Sequence, residues 1–200
     1  MAATTLVGSG DLVRGNAAIG QSGGPTAVIN QSLVGVVEGL RLGLQATGHV
    51  EKVLGMRHGV RGLTQGDFAD MNDLHQDRLD ALALTPSAGL GSTRDKPDAA
   101  YCERILEACR KHNIRYYFYI GGNDSSDTCR IVSEMAAATG YDMRCFHVPK
   151  TVDNDLKEND HTPGFPSAPP DPSPAHSSRL AKPPASATSG TARRTTPATG

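Results

Sequence analysis

The chain is 200 residues long, enough for one domain with a sizeable core, and it carries a formal net charge of −1. That balance argues against the dense basic surface a nucleic-acid partner needs and against electrostatic attraction to an acidic membrane. The amino terminus, MAATTLVGSGDLVRG, lacks the apolar run of a signal peptide, and no stretch reaches the length of a membrane-crossing helix.

Residues 1–15 read as a flexible lead into a short strand over 16–21, which ends in Gly20-Gln21-Ser22-Gly23-Gly24-Pro25-Thr26. Val28, Ile29, Leu33, Val36, Val37 and Leu40 then recur at three- and four-residue spacing, which predicts a helix with Pro25 in its first turn. Residues 50–56 read as a second strand, followed by Arg57-His58-Gly59-Val60-Arg61-Gly62-Leu63 and, further on, by a loop over 86–97 containing Gly89-Leu90-Gly91-Ser92-Thr93-Arg94. A helix is expected over 99–112, with Ile105, Leu106 and Cys109 on one face. The run IRYYFYI over 114–120 is the strongest strand signal and is stopped by Gly121-Gly122. A helix over about 126–139, ended by Gly140, and a strand over 143–148 complete the pattern.

Strands alternating with helices predict an α/β domain on an open parallel sheet, in which loops at the carboxyl ends of the strands share one edge. Cys102, Cys109, Cys129 and Cys145 show neither a CxxC pair nor a Cys/His metal spacing. They read as reduced, core-filling thiols, and the expected compartment is the cytoplasm. From residue 169 onward the only large aliphatic residue is Leu180, there is no aromatic, and seven of the chain's 13 prolines occur. Such a segment buries too little apolar surface to offset chain entropy and is expected to be disordered. Arg179, Lys182, Arg193 and Arg194 give the tail a basic bias, but without aromatics for base stacking it reads as solvated rather than as a nucleic-acid arm.

Three polar turns follow the strands. Gly23-Gly24 can present consecutive N–H groups to a phosphate, or can simply be a tight strand-to-helix turn. Gly121-Gly122-Asn123-Asp124-Ser125 lets a ligand approach the backbone, while Asp124 and Ser125 are equally suited to capping the next helix. In Lys150-Thr151-Val152-Asp153-Asn154-Asp155, the two carboxylates would share a direction if the chain is extended. One would then serve as general base and the other would orient a hydroxyl or support a metal, with Lys150 neutralising a transferring phosphoryl group. The alternative is a polar surface turn.

GQSGGPTAVIN, LGSTR, YIGGNDS and PKTVDNDL, the last followed by DHTPGF, stand in an order and spacing similar to those of the phosphofructokinase family. The resemblance covers residues 16–168. It implies a three-layer, Rossmann-like and mostly parallel sheet, with a donor-binding domain over 16–168 and a tail over 169–200. It further implies transfer of a phosphoryl group to fructose 6-phosphate with magnesium as cofactor, in an enzyme that is usually a homo-oligomer. By resemblance, Gly23, Gly24, Arg94 and Gly122 would bind the donor, and Asp153 would deprotonate the sugar's 1-hydroxyl. Thr151, Asp153 and Asp155 would lie in the substrate loop, with Lys150 and Asp124 in catalytic positions. Family members that use ATP usually have glycine at the positions of Asp124 and Lys150, so this pair resembles the pyrophosphate-dependent branch. A carboxylate at Asp124 would repel the α-phosphate of ATP, which pyrophosphate lacks. The family's usual magnesium-binding aspartate is replaced here by Asn123, whose amide oxygen supplies no charge.

Three alternatives accompany this reading: the ATP-dependent form, a lipid or NAD kinase with a related glycine-rich loop, and a non-catalytic phosphate-binding fragment. Lipid and NAD kinases lack the PKTVDND segment. The resemblance ends at Ser167-Ala168, and the tail's composition is similar to that of a GC-rich coding region read in the wrong frame. The expectation is therefore a truncated or frameshifted product with little turnover of its own.

Overall fold

The computed structural model describes residues 12–155 and 159–167. The tail expected over 169–200 and most of the amino-terminal lead lie outside the described residues. Five strands form one sheet in the order β3-β2-β1-β4-β5. They are β1 (Gly15–Gln21), β2 (Val50–Met56), β3 (Phe68–Asp70), β4 (Ile114–Gly121) and β5 (Arg144–Pro149). All neighbouring pairs run parallel except the short edge strand β3, which is antiparallel to β2.

The pleat explains why the sheet has helices on both faces. Along β4, Tyr116 and Ile120 belong to one apolar cluster, while Tyr117 and Tyr119 belong to another. Ala17 and Ile19 of β1 join the first and Ala18 joins the second, as a two-residue period requires. The first cluster is closed by α1 (Ile29–Leu40), through Ile29, Leu33 and Val37, and by Leu79 of α3 (Gln76–Leu84). The second is closed by α2 (Val60–Gln65), α4 (Ala99–Lys111) and α5 (Asn123–Ala138). The result is the α/β domain on a mostly parallel sheet that the alternating pattern predicted, in the three layers that the resemblance implied. All four cysteines are free; Cys102, Cys109 and Cys129 are buried, and burial pushes the Cys145 thiol up to about 12.

Four local features differ from expectation. The helix after β1 starts at Ile29, so Pro25 stands ahead of it in an irregular turn. There the Thr26 hydroxyl donates to the Lys150 carbonyl at 2.7 Å, a long-range bond invisible to a periodicity argument. The helix after β4 begins at Asn123 rather than near residue 126, so Asp124 and Ser125 lie inside its first turn and do not cap it. Ser125 packs its hydroxyl against Gly121, where any Cβ would collide with it. The segment after β5 is not extended, because Asn154 adopts φ +54°. Asn154 and Thr162 instead exchange backbone-to-side-chain bonds of 3.0 and 2.9 Å that fold the segment back. Finally, α2, β3 and α3 occupy a stretch that showed no clear period. The first two are too short to display one, and α3 buries only Leu79.

Two tyrosine hydroxyls of β4, those of Tyr117 and Tyr119, are buried without a hydrogen-bond partner among the described residues, and the first yields a test. The Tyr117 hydroxyl is fully buried and has no hydrogen-bond partner among the described residues. Tyr117→Phe removes that desolvation cost while keeping the ring, so the midpoint of urea unfolding should rise, by about 1 kcal/mol of stability. A loss of stability on this substitution would show that the hydroxyl is satisfied in solution.

Candidate active site

Parallel register brings the ends of three strands abreast. Gln21 of β1 lies beside Ile120 of β4, and Gly121 lies beside Pro149 of β5. With adjacent strands about 4.8 Å apart, the three following turns start within ~10 Å of one another. The fourth segment, around Arg94, reaches the same edge through a parallel bridge between Ser22 and Thr93 and a 2.8 Å bond from Gly23 N–H to the Thr93 carbonyl. It is held from behind by a buried polar hub. Gln21 Nε2 donates to Asn30 Oδ1, Gln21 Oε1 accepts from Leu90 N–H, and Asn30 Nδ2 donates to the carbonyls of Thr85 and Ser87.

These turns enclose a cavity of about 610 Å³. Gly23, Gly24, Arg94, Gly122, Asn123, Asp124, Lys150, Thr151, Asp153 and Asp155 all line it, so every residue singled out from the sequence converges on one space. Asp153 and Asp155 share the cavity because of the turn at Asn154, not because the chain is extended.

One wall is cationic. The Lys150 side chain is only 7% exposed, and its ammonium donates to the Gly24 carbonyl at 2.7 Å. Burial pulls its pKa below the ordinary lysine value; nearby Asp153 opposes the shift and Arg94 adds to it. Arg94 and Lys150 are thus close enough to repel one another. The Arg94 Nη2 atom lies 3.2 Å from where a Cβ on Gly24 would stand, and the Lys150 Nζ atom lies 3.3 Å from the corresponding point on Gly23. Gly23 also has φ +77°, so this position requires glycine both for its turn and for the approach of the ammonium.

The opposite wall is acidic and helical. Gly122 is the N-cap of α5, and no side chain among the described residues bonds to that end of the helix. The Ser125 and Ser126 N–H groups donate to the Gly122 carbonyl, which leaves the N–H groups of Asn123 and Asp124 and the positive dipole end for an anion. Asn123 Nδ2 donates to Asp155 Oδ2 at 2.7 Å, tying the turn after β4 to the turn after β5. Asp124 pairs with Lys96 at 3.1 Å on the exposed rim. Under this wall, His147 Nε2 lies 3.1 Å from the Gly121 carbonyl, and burial holds the imidazole below its ordinary pKa.

The sequence reading missed Thr26, Asp95 and Lys96, which also line the cavity. Thr26 stood within the glycine-rich motif, and Asp95-Lys96 directly follow Arg94; their polar character was the available signal.

Comparison with known proteins fits this geometry. The Phosphofructokinase family model matches residues 16–170. A pyrophosphate--fructose 6-phosphate 1-phosphotransferase of Rhodospirillum rubrum is 54% identical over 157 residues, covering 78% of this chain and 38% of that protein. The enzyme of the same name from Xanthomonas campestris is 42% identical over 162 residues, covering 78% and 37%. Among solved structures, a pyrophosphate-dependent phosphofructokinase from Marinobacter aquaeolei superposes with a TM-score of 0.68 at 42% identity, covering 76% of this chain and 37% of that one. The chain therefore spans little more than a third of the length of these relatives. With the family match extending across most of its residues and its glycine turns gathered at one sheet edge, the chain belongs to the phosphofructokinase family.

Proposed function

We propose that this chain is the donor-binding part of an enzyme that moves a phosphoryl group from pyrophosphate to the 1-hydroxyl of fructose 6-phosphate. The observation that carries the proposal is the convergence of Gly23-Gly24, Arg94, Lys150 and the uncapped end of α5 on one cavity that also holds Asp153. Cations and free N–H groups on facing walls suit a small, highly charged donor. The names of the relatives supply the choice of pyrophosphate and fructose 6-phosphate.

In this reading each residue has a separate task. Arg94 and Lys150 hold the donor and take up the charge released on its leaving group. Asp153 accepts the proton of the incoming hydroxyl, and Asp155, fixed by Asn123, keeps that loop in place. Asp124 stands at the rim, where its charge excludes a third phosphate and favours the shorter donor. Asn123, Asp124, Asp153 and Asp155 give the cavity oxygen donors and no thiol or imidazole, a set that suits magnesium. No three His, Cys, Asp or Glu side chains converge on a metal position among the described residues. When bound, that ion would neutralise phosphate charge. Four free cysteines favour a reducing, cytoplasmic setting.

Thermal shift on the intact chain tests the donor. Pyrophosphate with magnesium should raise the melting temperature by at least about 2 °C, and ATP with magnesium should not. Asp124→Gly should then admit ATP. An equal shift from ATP on the unaltered chain, or none from pyrophosphate, would refute the assignment.

Lys150 yields a second test, since its buried charge serves the ligand at the expense of the fold. Lys150→Met should weaken pyrophosphate binding by at least about tenfold, measured by calorimetry. The same change should raise the melting temperature by roughly 2–4 °C, or ~1 kcal/mol. Unchanged binding would remove Lys150 from the site.

A further inference from the structure

Arg94 is exposed and makes no hydrogen bond of its own among the described residues, yet its guanidinium is placed over Gly24 at the cavity wall. Something must hold its backbone. On its amino-terminal side, Thr93 is buried and locked to Ser22 and Gly23. On its carboxyl-terminal side stands Asp95, whose carboxylate is gripped by two helices that do not line the cavity. Arg61 of α2 donates to it twice, Nε to Oδ2 at 2.8 Å and Nη2 to Oδ1 at 2.6 Å. The Tyr101 hydroxyl of α4 donates to Oδ2 at 3.2 Å, and the Asp95 N–H returns to Thr93 Oγ1 at 3.1 Å. Arg61 does not line the cavity, whereas Asp95 does.

We propose that Arg61 and Asp95 are positioning residues that set the affinity for an anionic donor through Arg94. The two-point fork of a guanidinium on a carboxylate fixes orientation as well as distance, which an ammonium cannot reproduce. It also solves an electrostatic problem. Asp95 places a carboxylate on the wall of a cavity meant for phosphate, and the Arg61 fork turns it into a neutral pair. The same contact holds the Asp95 carboxyl below the ordinary carboxylate range. The clamp makes helices α2 and α4, which never touch the cavity, part of its binding geometry. This inference rests on Arg94 serving the donor, the reading given above.

Arg61→Lys is the informative variant, because it keeps the charge and loses the fork. In the intact, donor-free chain, nitrogen-15 relaxation of the Arg94 backbone amide should report an ordered segment that becomes mobile in Arg61→Lys and in Asp95→Asn. Backbone spectra would confirm that the fold is kept. Unaltered Arg94 order in both variants would overturn the proposal. For the donor itself, Arg61→Lys should weaken magnesium pyrophosphate binding by about tenfold, and this loss should vanish on an Arg94→Ala background. A loss that persists undiminished without Arg94 would show that Arg61 acts by another route and would likewise overturn it. Should the unaltered chain fail to bind pyrophosphate at all, the donor reading falls, and the relaxation measurement still decides the clamp.

Discussion

The parallel ladder through β1, β4 and β5 is the constraint on which the rest depends. Because the three strands run the same way and in register, each ends at the same edge, and each is followed there by a polar turn. An antiparallel neighbour would have sent one turn to the opposite end of the sheet. β1 can serve as the centre of this arrangement because it is small. Ala17, Ala18 and Gly20 leave room for Met56, Tyr117 and Tyr119 on one face and for α1 on the other. Strand order also reverses direction around β1, with β2 on one side and β4 on the other, and open α/β sheets form crevices at such a point.

Charge within that crevice is arranged in opposition. Lys150 and Arg94 crowd the glycines after β1, while Asp124, Asp153 and Asp155 lie on the side of α5 and the β5 turn. Neither group neutralises the other fully: among the described residues Lys150 bonds to a backbone carbonyl, Asp155 to an amide, and only Asp124 has an ion-pair partner, on the solvated rim. A buried cation without a carboxylate bonded to it costs stability. It is retained where an anionic ligand can offset the cost, which is the physical content of a binding site formed in advance of its ligand.

Asn123 shows how one residue alters the logic of such a site. An aspartate here would set two carboxylates at hydrogen-bond distance from one another, whereas the amide donates to Asp155 and joins two turns. The amide N–H thus holds the acidic loop after β5 from the turn after β4.

Much of this was legible in the sequence, for reasons tied to particular segments. IRYYFYI is too rich in aromatic and β-branched residues to be anything but a buried strand, and α4 shows its period openly. The four glycine- and aspartate-containing motifs marked all ten residues that later met in one cavity. What sequence could not decide was set by contacts between distant residues. The start of α1 depends on a bond from Thr26 to Lys150, and the path after β5 depends on Asn154 meeting Thr162. α3 keeps its place by packing a single leucine rather than by any strong period. The sequence by itself determined which turns carry chemistry, since residue type alone sets what a turn can bond. Only the tertiary structure decided how those turns face one another and that Arg61 grips Asp95, because such contacts join residues dozens of positions apart and leave no local pattern to read.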